Sequence, residues 1–379
     1  MISAAEDGTP GNDYSDTPTI SANGRIVAFA SLATNLVPGG SAPHTKNVYV
    51  RDLRTAKLTQ VNAQDQGAPN DANADQPALS ANGRYLAFTS SWLEWPRPHN
   101  PPEHRHAVYV RDLHTGRTEK ANVGLEGTDR DATDPSVSAD GRYVAFTAGT
   151  SDPLGSRHIY VHDRRTGTSQ RISRRPPDDF SVAATPSISA DGRRVSYEGY
   201  SPSVSGPGNG SAIFVWSRTT GRIEQVDTPY EGPRTSHNSY SASLSPDGRY
   251  ATFISSNLTG LPCTGGWNDH YIYIRDLQRQ ITSCPGINVR WGSETPTVTA
   301  NSRYLLYSTD SLYLRDLRTG HTRTVSVRLD GSPAWAYGAG AAADAHSHTI
   351  AFSSTDPGIA PRDPGGYCQV YVTHLPRQD

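Results

Sequence analysis

The chain has 379 residues, a formal net charge of −2 and 35% hydrophobic residues. A balance so close to neutral argues against a basic surface for nucleic acid or an anionic membrane. No apolar run reaches the roughly 20 residues of a membrane helix, so membrane insertion is not expected. The 34 glycines, 28 prolines and single methionine fit an all-β chain rich in turns.

In chain order, Ile2 to Pro10 (ISAAEDGTP) come first and match Val325 to Pro333 (VSVRLDGSP). The N-terminus therefore reads as a final strand belonging to a preceding unit. No charged start followed by an apolar stretch marks a signal peptide. A secreted or extracytoplasmic location is the expectation, with a cytoplasmic one as its alternative.

A short apolar segment, Thr17 to Ser21 (TPTIS), precedes Asn23-Gly24 and the alternating strand that ends at Phe29. The same frame returns as SANGRYLAF at Ser80 to Phe88, SADGRYVAF at Ser138 to Phe146, SADGRRVSY at Ser189 to Tyr197 and SPDGRYATF at Ser245 to Phe253. Glycine accepts the positive φ of a tight hairpin turn, and Asn or Asp tolerates it nearby. A variable connection then leads to a third strand, NVYVRDL at Asn47 to Leu53 in the first copy, and a Thr-Gly turn leads to a short fourth strand.

The anchors Phe29, Phe88, Phe146, Tyr197, Phe253, Tyr307 and Phe352 mark seven units. Seven units of four antiparallel strands predict one domain over residues 1–379, a seven-bladed β-propeller. Its last blade would be completed by Met1 to Ala4 against Gln369 to His374, which closes the ring and hides two sheet edges. Unit six has Asn301-Ser302 and unit seven His346-Ser347-His348 at the first turn, weaker turn chemistry read as drift.

Cys263 and Cys284 flank a predicted strand and its antiparallel neighbour. They are placed either to close a disulfide or to remain buried thiols, and Cys368 is left over.

The recurrent S-x-[DN]-G-R-[YI]-[VL]-A-F and [VI]-Y-[VI]-R-D-L-x-T-G resemble the TolB-type, WD40-like propeller repeat (PD40) over essentially the whole chain. Ala33 to Gly39 (ATNLVPG) with NVYVRDL resembles stand-alone actinobacterial members of that family. The resemblance implies the fold. Its members include translocation-associated periplasmic proteins, propeller domains attached to serine peptidases, and oligosaccharide lyases, so it implies no single activity.

Both tight turns fall on one face, and the variable connections emerge on the other, upper face, where binding residues are expected. Trp92, Trp95, Trp267, Trp291 and Trp335 lie in those segments with Tyr14, Tyr200, Tyr240 and Tyr337. Such aromatics stack on sugar rings or grip a peptide, and they equally build small loop cores. The leading reading is a monomeric, non-enzymatic recognition module for a glycan or peptide, with Trp92, Trp95, Trp267, Trp291, Trp335, Tyr337, Tyr14 and Tyr240 as contacts.

No G-x-S-x-G elbow or H-E-x-x-H helix is present, and no catalytic residue is assigned. The recurring Asp52, Asp112, Asp163, Asp276 and Asp316 read as caps of the Thr-Gly hairpin. The alternative reading is a metal-assisted lyase or hydrolase acting on an oligosaccharide or small molecule, and a third is a scaffold for a partner protein. His104 and His106, on one side of an extended strand, with His237, are the metal candidates for a single ion in the central channel. Without such an ion no cofactor is expected. Polar residues expected near the channel mouth are Asp13, Asp16, Asn73, Asp75, Asp131, Asp134, His237, Asn238, Arg290 and Glu294.

Overall fold

A computed structural model describes residues 1–62, 72–94, 102–125, 130–149, 156–173, 182–200, 211–227, 238–256, 258, 263, 269–289, 295–336, 340–363 and 365–376. Every regular element among them is a strand. The chain divides into two compact units, Met1–Ala121 with Thr299–Asp379, and Asn122–Val298.

In the first unit, β1 (Ser15–Ile20), β2 (Ile26–Ser31), β3 (Asn47–Asp52) and β4 (Leu58–Val61) form a four-stranded sheet in that order. A second sheet has β5 (Asn73–Leu79), β6 (Tyr85–Glu94), β7 (Glu103–Asp112) and β8 (Thr118–Lys120). In the second unit, β9 (Asp131–Val137), β10 (Tyr143–Gly149), β11 (Arg157–Asp163) and β12 (Thr168–Arg171) repeat the plan. So do β13 (Val182–Ile188), β14 (Arg194–Tyr200), β15 (Ser211–Ser217) and β16 (Ile223–Gln225), and one parallel pairing of Arg157 with Val182 joins these two groups into an eight-stranded sheet.

The fifth sheet contains β17 (Ser239–Leu244), β18 (Tyr250–Ser256), β19 (His270–Asp276) and β20 (Ile281–Ser283), with β21 (Asn288–Val289) also pairing β19. Strand β22 (Thr297–Val298) ends the second unit. The first unit resumes with β23 (Tyr304–Ser308), β24 (Leu312–Asp316) and β25 (Thr322–Thr324), then β26 (Ala341–Ala343), β27 (Thr349–Ser354) and β28 (Gln369–His374).

Against β28 lie the N-terminal residues. The Ile2 amide donates to the Val370 carbonyl at 2.8 Å and the Val370 amide donates to Ser3 Oγ at 2.9 Å. The match between the two nonapeptides is also structural, because isolated bridges join Ala4 to Pro10 and Val327 to Pro333.

The repeated phrase has a local physical cause. In SADGRYVAF the Ser138 hydroxyl donates to Asp140 Oδ1 at 2.7 Å and accepts the Tyr143 amide at 2.9 Å, while Asp140 also accepts the Arg142 amide. One buried serine thus ties the turn to the strand it starts. The turn glycine is further constrained at Gly192, where φ is +68° and a Cβ would lie 2.4 Å from the Tyr143 ring. In the last repeat Asp344 takes over the serine's task, accepting amides of His346, His348 and Thr349, and Ser347 adopts φ 59°. The degenerate turn is therefore re-capped by Asp344 rather than simply weakened.

Each anchor aromatic lies opposite an aromatic of the third strand, as Phe146 does to Tyr160 with ring centroids 6.0 Å apart. Pairs of this kind recur from Phe29–Tyr49 to Phe352–Tyr371, and most of these rings are fully buried. Burying one such side chain contributes about 1.5–3 kcal/mol. Packing between successive sheets extends the core, as where Tyr143, Val161, Val195 and Trp216 share one cluster.

The recurring aspartates cap their hairpins as expected: Asp112 Oδ1 accepts the amides of His114 and Thr115. They also pair with the arginine of the first turn, a contact the sequence reading missed. Arg25–Asp52, Arg84–Asp112, Arg142–Asp163, Arg249–Asp276 and Arg303–Asp316 approach to between 2.5 and 2.9 Å. The arginine hydrogen bonds hold Asp52 and Asp276 at about 2, below the usual carboxylate range. Cys263 and Cys284 form a disulfide in the second unit, and Cys368 is free and buried.

Candidate functional site

The innermost strands carry a shared irregularity near the ends away from the tight turns. Register shifts interrupt β1, β5, β9, β13 and β17 against their neighbours. At each shift a side-chain-bearing residue takes positive φ: Thr17, Gln76, Asp134, Thr185 and Ser241, all between 49° and 54°. Left-handed backbone costs such residues roughly 1–2 kcal/mol, so five repetitions mark a scaffold device that bends the strand. Serines lock neighbouring inner strands together, as Ser136 Oγ accepts the Ile188 amide and Ser187 Oγ the Leu244 amide.

On this repeated frame sit two groups of non-repeated residues, one in each unit. In the first unit Lys46, just before β3, places Nζ 2.8 Å from Asp16 on β1 and 3.0 Å from Asp75 on β5. Its backbone is fixed as well, the Lys46 amide donating to Asn73 Oδ1 and its carbonyl accepting from Ala74. Burial pulls the ammonium down, but the two carboxylates outweigh it and hold Lys46 charged. The trio is an ionic clasp between two sheets.

In the second unit the singular residue is Glu198 on β14, where the same register elsewhere carries Thr89 and Thr147. It is 8% exposed. Its Oε1 accepts the amide of Ser241, the left-handed residue of the next inner strand, at 2.6 Å. Burial pushes its pKa up, Asp134 pushes the same way, and hydrogen bonds from Ser241 and the Thr185 side chain oppose them without cancelling the shift. Glu198 therefore keeps its proton to a higher pH than an ordinary glutamate, the condition for donating to a ligand oxygen. Beside it on β17, Tyr240 meets His270 edge-on with ring centroids 5.8 Å apart. Thr147 is 2% exposed and its hydroxyl has no hydrogen-bond partner among the described residues, whereas Thr89 in its place donates to Gln76 Oε1 at 2.7 Å.

The aromatic candidates separate. Trp335 is 51% exposed, with its amide anchored on Asp356 at 2.8 Å. Tyr14 is 45% exposed and stands edge-on to Tyr367 at 5.4 Å. Trp92 lies on β6 and packs against the buried cluster of Leu86, Phe88 and Tyr109, so it serves at least partly as core. Trp95, Trp267, Trp291, Tyr337, His237, Arg290 and Glu294 lie outside the described residues.

His104 and His106 share one side of β7, which with β6 extends the second sheet into a long hairpin. Arg105 between them pairs with Glu94 at 2.5 Å and Glu103 at 2.7 Å. Among the described residues no group of three or more His, Cys, Asp or Glu side chains is placed to hold a metal ion. Sequence reasoning missed Lys46 and Glu198. The available signals were one of only three lysines, and an acid at a strand position otherwise written with Ala, Thr, Ile and Ser.

No family model and no curated protein matches this chain. Among solved structures it is similar to oligogalacturonate lyase from Vibrio parahaemolyticus, at 12% identity and a TM-score of 0.64 over 97% of this chain and 92% of that one. A second oligogalacturonate lyase, in complex with manganese, matches at 15% identity and a TM-score of 0.61 with the same coverage. The β-propeller domain of the trilobed protease from Pyrococcus furiosus matches at 14% identity and 0.54, over 91% and 90%. At such identities the likeness concerns the fold, and that fold is a β-propeller.

Proposed function

We propose that the protein acts on an oligosaccharide by lyase or hydrolase chemistry at the loop-bearing ends of its inner strands, with Glu198 as the proton donor. The observation that carries this reading is Glu198 itself, a carboxyl buried on a strained frame, within electrostatic reach of Asp134, and biased toward its protonated form. Near-complete coverage of two oligogalacturonate lyases, with no attached domain needed to account for their length, supports it. The scaffold in this reading is a single seven-bladed propeller of the PD40 type, and the Ile2–Val370 hydrogen bond supports closure by the N-terminal residues. The disulfide supports an oxidising, extracytoplasmic setting. The manganese of one lyase structure finds no donor set among the described residues here.

The test is incubation with neutral and uronate-containing oligosaccharides, following new reducing ends and the ultraviolet absorbance of an unsaturated uronate. Turnover that drops about a hundredfold or more in Glu198→Gln is the expected result. Absence of turnover on every oligosaccharide overturns it.

A second reading, recognition without chemistry, is favoured by the exposed Trp335 and the Tyr14–Tyr367 pair. Glycan or peptide binding by a monomer that survives Glu198→Gln and is lost in Trp335→Ala or Tyr14→Ala would establish it.

A further inference from the structure

The turn-bearing end of β23, β24 and β25 holds a cavity of about 310 Å³. Arg303, Tyr304, Asp316, Thr319, His321 and Arg323 line it. Arg323 sits on β25 opposite Leu314. At that register the five other described fourth strands carry Thr59, Glu119, Gln170, Glu224 and Ser283, so among the described fourth strands only this one places a cation there.

Among the described residues Arg323 makes no ion pair and no side-chain hydrogen bond, and burial lowers its pKa. The other guanidinium, Arg303, commits Nε and Nη2 to Asp316 at 3.0 and 2.9 Å. Two guanidiniums against one carboxylate leave the lining positive. Removing a cation from water without a counter-charge is unfavourable, and an incoming anion offsets that loss. A guanidinium also matches the oxygens of a tetrahedral oxyanion in pairs. Thr319 Oγ accepts the His321 amide at 3.3 Å and keeps its own proton to donate.

We propose that this cavity binds a small oxyanion of the phosphate or sulfate class, held by Arg323 and Arg303 with Thr319 and His321 as further donors. The site lies at the turn-bearing end of its own sheet in the first unit and stands or falls independently of the proposed oligosaccharide site in the second.

Calorimetric titration of the full chain at low ionic strength with inorganic phosphate, inorganic sulfate and a hexose phosphate monoester tests the proposal. Saturable binding is expected, weakened about tenfold by Arg323→Ala. Arg323→Lys should retain part of the affinity, because it keeps the charge and loses the paired donors. Arg193→Ala, an exposed arginine of the second unit beside Asp191, should bind as the parent does. Tighter binding of the monoester than of inorganic phosphate identifies an esterified ligand, and the reverse order identifies the free ion. Matching circular dichroism and melting of the variants show that the hairpin is intact, and Arg323→Gln replaces the alanine variant if they differ. No saturable heat with any anion, or equal affinity in Arg323→Ala, overturns the site.

Discussion

The two ends of these sheets are built on opposite principles. At the turn end one arrangement recurs: a first turn tied by a serine, or by Thr299 in one sheet, an aspartate that caps the second, and an arginine that joins them, in five sheets from Arg25–Asp52 to Arg303–Asp316. At the loop end the backbone repeats its left-handed residue, and singular side chains sit beside it, Lys46 between the equivalent Asp16 and Asp75 and Glu198 on Ser241. Repetition marks what every sheet needs in order to form. Singular residues on a repeated frame mark what only the whole molecule uses. The cavity around Arg323 is the exception that sharpens the contrast, a singular cation set into the repetitive end.

Several substitutions separate scaffold from site. Phe146→Ala empties a fully buried position shared by every repeat and should cost about 3–5 kcal/mol in chemical denaturation. The double change Cys263→Ser with Cys284→Ser opens a bridge spanning 21 residues and should cost about 3 kcal/mol, with a parallel loss on adding reductant to the parent. Asp112→Ala removes the Arg84 pair and frees two turn amides, a loss of about 1–2 kcal/mol, whereas Arg84→Ala, on the exposed side of the pair, should lose less than that. A larger loss from the arginine would break the view that the aspartate organises the turn.

At the loop end the sign should reverse. Thr17→Gly relieves a β-branched residue at φ 49° and should raise stability by about 1 kcal/mol. Acid pH distinguishes the two ends again. Asp52 and Asp276 are depressed to about 2, so their stabilisation is complete above the ordinary aspartate value near 4 and is lost as pH falls through about 2. Glu198 is raised, so the folded state binds more protons than the unfolded chain above the ordinary glutamate value. Its contribution to stability therefore falls as pH rises through that window. Glu198→Gln should remove this slope and melt no lower than the parent at neutral pH. A steeper slope in the variant would show that Glu198 is ionised in the folded protein.

The sequence by itself determined the strands, the turns and the repeat. A serine, an Asx-Gly pair and an alternating run act within nine residues, so the backbone they specify needs no distant partner. The hairpin role of Asp52 and its copies was legible for the same reason, since the amides it caps lie two and three residues on. The arginine that joins it could not be read, because 27 residues separate Arg25 from Asp52 and only strand pairing sets Ile26 opposite Asp52. The candidate site was decided by tertiary structure for that reason in stronger form. Lys46 lies 30 residues from Asp16 and Glu198 lies 43 from Ser241. Neither contact follows a local period, and each exists because neighbouring inner strands are held side by side and bent at the same level by a left-handed residue.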